Sequence, residues 1–181
     1  CANIVLRHIT FNQASLSFSD GGSTLITIED CDFVGHDWWD QLYSDPLEDV
    51  WDDIKNTPVE DYTLMCQVGS GQTVIRRCTF TGVSNGCSLN STSGGNNDLD
   101  VYDCTFTNIF DGAIELNENN CIAKNSAFWS NTFTNCIYAL RFTYVTNGPV
   151  WVIGNYGTDC GVFNNLYLGG PYAPANADAQ P

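Results

Sequence analysis

Apolar and polar residues alternate over short stretches of this chain, and the stretches return in the same order. Runs rich in β-branched residues, Thr24-Leu-Ile-Thr-Ile, Thr73-Val-Ile, Leu99-Asp-Val and Val150-Trp-Val-Ile, each read as a strand. Each leads into a second phrase: Cys31-Asp-Phe-Val-Gly, Cys78-Thr-Phe-Thr-Gly, Cys104-Thr-Phe-Thr-Asn and Asn131-Thr-Phe-Thr-Asn, with a looser copy at Ile9-Thr-Phe-Asn. Self-similarity of this kind marks a repeat architecture.

Between the anchors 9, 31, 78, 104, 131 and the degenerate Asn155 (Asn-Tyr-Gly) the gaps are 22, 47, 26, 27 and 24 residues. A further apolar run lies upstream in each unit: Ser15-Leu-Ser-Phe, Thr63-Leu-Met-Cys-Gln-Val, Gly86-Cys-Ser-Leu, Gly112-Ala-Ile-Glu-Leu and Tyr138-Ala-Leu-Arg-Phe. Only one such run falls in the long gap, so its excess is an insertion over residues 36–62 of an underlying coil of about 22 to 27 residues. Turns such as Ser19-Asp-Gly-Gly-Ser, Gly69-Ser-Gly-Gln and Ser91-Thr-Ser-Gly-Gly-Asn-Asn supply residues that accept positive φ. No segment outside the insertion carries a helical period, so the chain reads as all-β.

A unit of this length cannot bury its own apolar face, but stacked copies share a continuous core. On its Cys/Asn-Thr-Phe-Thr phrases, residues 3–168 resemble the right-handed parallel β-helix of the pectate-lyase-like kind. The resemblance implies a fold, and that fold hosts lyases, hydrolases, adhesins and passive structural proteins alike. About six coils are expected over residues 1–168, in a stub on the order of 30 Å long, followed by a Pro/Ala-rich tail at 169–181. Stacking predicts an internal column of Phe11, Phe33, Phe80, Phe106 and Phe133. Beside it runs a row of Cys31, Cys78 and Cys104 continued by Asn131, with the flanking threonines facing outward.

Composition narrows the partners. The chain has 181 residues, 43% of them hydrophobic, enough for a single domain with a core. Its 21 acidic against 6 basic residues give a formal charge of −15, which argues against nucleic acid and anionic membranes. No apolar span is long enough to cross a membrane. Cationic, metal-bearing or neutral carbohydrate partners stay open, and no cofactor is required.

Nine cysteines in a chain of this size point to an oxidising, extracellular or cell-surface setting. The repeat aligns Cys136 with Cys160 and Cys66 with Cys87, and sets Cys78 beside Cys31 or Cys104, so these are the expected disulfides, each contributing roughly 2–4 kcal/mol. Nine is odd, and Cys1, by its terminal position, is the one expected to pair between chains. The start at Cys1 reads as a mature, secreted or trimmed product. Asn90-Ser-Thr is the one glycosylation sequon.

Candidate chemistry concentrates in the insertion. Residues 36–55 hold three Trp, one Tyr and seven acidic side chains. Trp38, Trp39, Tyr43 and Trp51 are candidates for stacking on sugar faces. Asp45, Glu48, Asp49, Asp52 and Asp53 could hold Ca²⁺ through oxygen ligands, though not in EF-hand spacing. The alternative is a helical loop stapled to the coil by its tryptophans. For a lyase, Lys, Arg and His are the available bases, Lys55 and Lys124 among them, but Arg77 is expected between Asp30 and Asp103, and Arg76 beside Glu29 and Tyr102, as charge ladders. For a hydrolase, Asp32, Asp103, Asp111 and Glu115 are available, with no pair singled out. The outward Thr-x-Thr rows resemble the ice-binding faces of β-solenoid antifreeze proteins.

The ends favour assembly. A β-helix leaves backbone unpaired at both ends, and the tail, with Tyr172 and Pro174, suits an extended arm. Copies of the chain stacked head to tail into a secreted filament or surface appendage form the leading expectation. A polysaccharide-binding or polysaccharide-degrading β-helix is the second, and an ice-binding solenoid the third.

Overall fold

A solenoid requires inward apolar residues at alternate strand positions and tight corners between strands. Both are present in the computed structural model, which describes residues 2–16, 18, 24–35, 72–88, 96–116, 123–143 and 148–167. The described strands are β1 Ala2–Arg7, β2 Thr10–Asn12, β3 Thr24–Glu29, β4 Asp32–Val34, β5 Thr73–Arg76, β6 Thr79–Thr81, β7 Cys87–Ser88, β8 Asn96–Asn97, β9 Leu99–Tyr102, β10 Thr105–Leu116, β11 Ala123–Lys124, β12 Ser126–Trp129, β13 Thr132–Thr143, β14 Val150–Ile153, β15 Tyr156–Thr158 and β16 Val162–Tyr167. No helix occurs among the described residues.

Among the described residues every strand pairing is parallel, and each face is climbed in chain order. One face runs β1-β3-β5-β9-β12-β14 and the next β2-β4-β6-β10-β13-β15. The third is built from β7, the second halves of β10 and β13, and β16. The chain is thus an all-β parallel solenoid, as its repeats imply. The coil count differs slightly from expectation: two faces carry six rungs, but the third is shallower, so the solenoid completes about four turns.

The core is a set of files. Phe11, Phe33, Phe80, Phe106 and Phe133 stack with ring centroids 4.6, 4.6, 4.7 and 5.1 Å apart. Cys31, Cys78, Cys104 and Asn131 form the expected buried row beside them. Each reaches a carbonyl of the coil below: the Cys31, Cys78 and Cys104 thiols point to Leu6, Ile28 and Ile75, and Asn131 Nδ2 donates to Val101.

The corner before this row is sharp. His8, Asp30, Arg77, Asp103 and Ser130 all hold φ of 53–54°, and Gly154 holds 61°. A left-handed conformation costs a non-glycine residue about 1 kcal/mol or more. Here it is offset because these amides stay in the ladder, as in Asp30 N to Arg76 O (3.2 Å) and Arg77 N to Tyr102 O (3.2 Å).

The disulfides expected between described cysteines are not formed. Cys31, Cys78, Cys104, Cys136 and Cys160 are free thiols, which removes the Cys136–Cys160 bridge and both options for Cys78. Rung spacing explains it: in-register Cβ atoms on neighbouring rungs stand roughly 4.8 Å apart, beyond the ~3.8 Å a disulfide favours. The sulfurs turn instead to carbonyls, Cys136 to Thr134 and Phe106, Cys160 to Thr158. Burial raises the Cys31 and Cys104 thiols above their usual range and pushes Cys136 up to about 12, so they stay protonated and unreactive near neutrality. In this fold cysteine serves as a small core side chain. Cys1, Cys66, Asn90, Tyr172, Pro174 and the insertion residues Trp38, Trp39, Tyr43, Asp45, Glu48, Asp49, Trp51, Asp52 and Asp53 lie outside the described residues.

Candidate functional site

Three places gather chemistry-bearing or unpartnered groups. The first is the outward file Arg7, Glu29, Arg76, Tyr102, Trp129 and Ile153, set by strand register. Glu29 is only 2% exposed and is ion-paired to Arg7, to Arg76 and to Arg77 (3.1 Å). Arg76 also donates to the Tyr102 hydroxyl at 2.9 Å, and Tyr102 stacks on Trp129 at 4.2 Å. Arg77 grips Asp30 through two bonds of 2.7 and 2.8 Å. The expected ladder therefore holds for Arg76, whereas Arg77 turns to Asp30 and Glu29. Hydrogen bonds from Arg76 and Arg77 hold the Glu29 and Asp30 carboxyls below their usual range. The arginines of this file are committed to holding coils together.

The second place is a polar cluster on the third face. Between Ile109 and Gly112 the pairing of β10 with β13 slips, because β10 carries an extra residue there. A bulge of this kind re-aims side chains. It brings Asp111 to the Arg141 guanidinium at 2.8 Å, while Glu115, the cross-strand partner of Arg141, takes the same nitrogen at 3.0 Å. The two carboxylates are thus no farther apart than two hydrogen-bond lengths. Asn85 donates to Glu115 at 2.6 Å, and the Tyr138 ring lies 5.2 Å from the guanidinium carbon. Gly112 leaves the room, since a Cβ there would stand 3.1 Å from that of Glu115. Burial pushes Asp111 above the usual carboxylate range against the pull of Arg141. The buried Arg141 Nε has no partner. The sequence offers Asp111 and Glu115 among four acids; the bulge singles them out.

The third place is the last rung. At the column position after Phe133 the chain has Gly157, and Phe163 fills the space edge-on to Phe133, with centroids 6.0 Å apart at 85°. Trp151, Val152, Ile153, Tyr156, Val162 and Phe163 are all exposed on this rung, Ile153 at 60% and Tyr156 at 63%. Val5 and Ile9 are exposed on the first rung. Among the described residues, only Leu25 and Val34 are large, apolar, exposed and placed on the rungs between. Among the described residues, exposed apolar surface is thus gathered on the end rungs, whose strands β1, β2, β14 and β15 are the outermost of the two sheets.

The threonine rows face outward as expected. Thr81, Thr107, Thr134 and Thr158 share one file, while Thr79, Thr105 and Thr132 are bounded by Asp32 and Tyr156. Some hydroxyls are engaged within the row, Thr79 with Asp32 at 2.6 Å and Thr158 with Thr134 at 3.4 Å. Among the described residues there is no grouping of three or more His, Cys, Asp or Glu suited to a metal ion, and no helix long and apolar enough to cross a membrane. Comparison of the chain with protein-family models, curated proteins and solved structures finds no match.

Proposed function

We propose that this protein is a structural subunit that assembles end to end into an extracellular filament or surface appendage. The observation that carries this reading is the last rung. Six large apolar side chains are exposed there on and beside edge strands, whereas the arginines described on the flanks, Arg7, Arg76, Arg77 and Arg141, are each held by carboxylates. An apolar strand edge is a template for another chain, and monomers normally blunt it with charge or cover. The −15 charge opposes association and keeps flanks apart, so joining is confined to the ends and favoured by salt, which screens repulsion. Thiols that are buried and protonated are compatible with an oxidising exterior.

The test is light scattering and negative-stain imaging of the purified chain at low and moderate ionic strength. Fibres that lengthen as salt is raised support the reading. A 19.9 kDa monomer under every condition sinks it.

The Asp111–Glu115 pair favours a second reading, action on a polysaccharide. Two carboxyls this close, one of them inclined to keep its proton, match the acid and nucleophile of glycoside cleavage. In that reading wild type releases reducing ends from a neutral glycan and Asp111→Asn does not. Equal release by both, or none by wild type across a glycan panel, excludes it.

A further inference from the structure

Register runs unbroken along the first face, from β1 to β14, which makes the geometry of an end-to-end joint readable. One outward file is Val5, Thr27, Val74, Asp100, Ala127 and Trp151; one inward file is Leu6, Ile28, Ile75, Val101, Phe128 and Val152. Adding one rung in the same register sets Val5 of a second copy on Trp151, and its Leu6 on Val152. Both members of the first pair are exposed, at 54% and 42%, and Val152 is exposed while Leu6 is only partly buried. Interior rungs bury the same inward file completely, with Ile28, Ile75 and Phe128 at 0% exposure.

The aromatic column gives a third pairing. At its lower end Phe11 stacks on Phe33 at one face and is half-buried. At its upper end Phe163 stands perpendicular to Phe133 and remains exposed. A ring presenting its edge to the face of another is a favoured aromatic contact. Phe163 of one copy can therefore lie between its own Phe133 and the Phe11 of the next.

We infer that copies of this chain join in register, with β1 of one continuing the sheet beyond β14 of another, through the pairs Val5–Trp151, Leu6–Val152 and Phe11–Phe163. The inference rests on the proposed end-to-end assembly and gives it a definite interface. It is heterologous, so it propagates rather than closes. It also fixes polarity, because each end is complementary to the other and not to itself.

Two measurements test it. In the first, Trp151→Glu places an unpaired carboxylate in the joint and raises the concentration needed for assembly about tenfold or more. Adding Val5→Lys to the same chain gives every joint an opposite-charge pair and restores assembly. Both positions face outward, so folding, checked by circular dichroism and thermal melting, is unchanged. In the second, helical reconstruction of wild-type fibres gives an axial rise of about 29 Å per copy, the length of six rungs at ~4.8 Å.

Wild-type fibres with a different rise, a single substitution without effect, or a double variant that stays unassembled would each overturn the register while leaving end-to-end assembly standing. A wild type that never assembles overturns both.

Discussion

Asn131 occupies the row that Cys31, Cys78 and Cys104 fill on the coils below, and the exchange of a thiol for an amide changes what the row can do. A thiol is a weak donor, and the three cysteines use it on a carbonyl of the preceding coil. The amide donates to Val101 O at 2.9 Å and also accepts from Cys104 N at 3.0 Å. Its own neighbour Asn155 repeats the pattern, taking Asn131 N at 2.9 Å and donating to Phe128 O at 2.9 Å. Removing the Asn131 side chain strands two backbone groups on the coil below, Val101 O and Cys104 N, whereas removing Cys104 takes away a weak contact and a small volume. Asn131→Ala is therefore expected to lower unfolding stability by about 2–3 kcal/mol, and Cys104→Ala by about 1 kcal/mol. Urea denaturation of the two variants checks the order. Equal losses would mean that the amide adds nothing beyond its volume.

Strands and corners show how far the sequence can be read. The Thr-Phe-Thr phrases specify β6, β10 and β13 together with their register, because a file of identical residues is satisfied by only one alignment. The same logic places Arg76 between Glu29 and Tyr102 before any coordinates exist. The corners are harder to read: Arg77 and His8 adopt φ of 53° and 54° although neither is a turn-forming residue by type. Only their shared place in a file with Asp30, Asp103, Ser130 and Gly154 reveals them. The bulge in β10 leaves no mark in composition, so the meeting of Asp111 with Glu115 around Arg141 is invisible until pairing is known. The disulfides expected between described cysteines fail for a metric reason, since aligned repeats bring cysteines to adjacent rungs at a spacing set by backbone hydrogen bonding rather than by sulfur. Gly157 is the one clue that could have been used: a glycine in the phenylalanine position of the last phrase implies that another ring must close the column.

At the scale of the whole molecule, two groups of carboxylates pull the pH dependence of stability in opposite directions. Glu29 and Asp30 are held below their ordinary values of 4.5 and 3.8 by Arg76 and Arg77. Their contribution is present above those values and is lost as pH falls through the lower, folded ones. Asp111 and Asp100 are raised above 3.8, chiefly by burial, with Asp98 adding repulsion at Asp100. Their ionised forms burden the fold at neutral pH, and that burden lifts as pH falls through the raised values. Acidification also reduces the self-repulsion of a chain carrying −15. Thermal stability should thus climb from neutrality to a maximum at roughly pH 4 to 5, and drop below it. Asp111→Asn flattens the neutral limb because the residue no longer titrates, and Glu29→Gln removes part of the acid limb at the expense of stability at the maximum. A melting temperature that stays level or falls as pH is lowered from 7 to 5 would show that the buried carboxylates place no burden on the fold at neutrality. Asp111 would then be ionised without penalty beside Arg141.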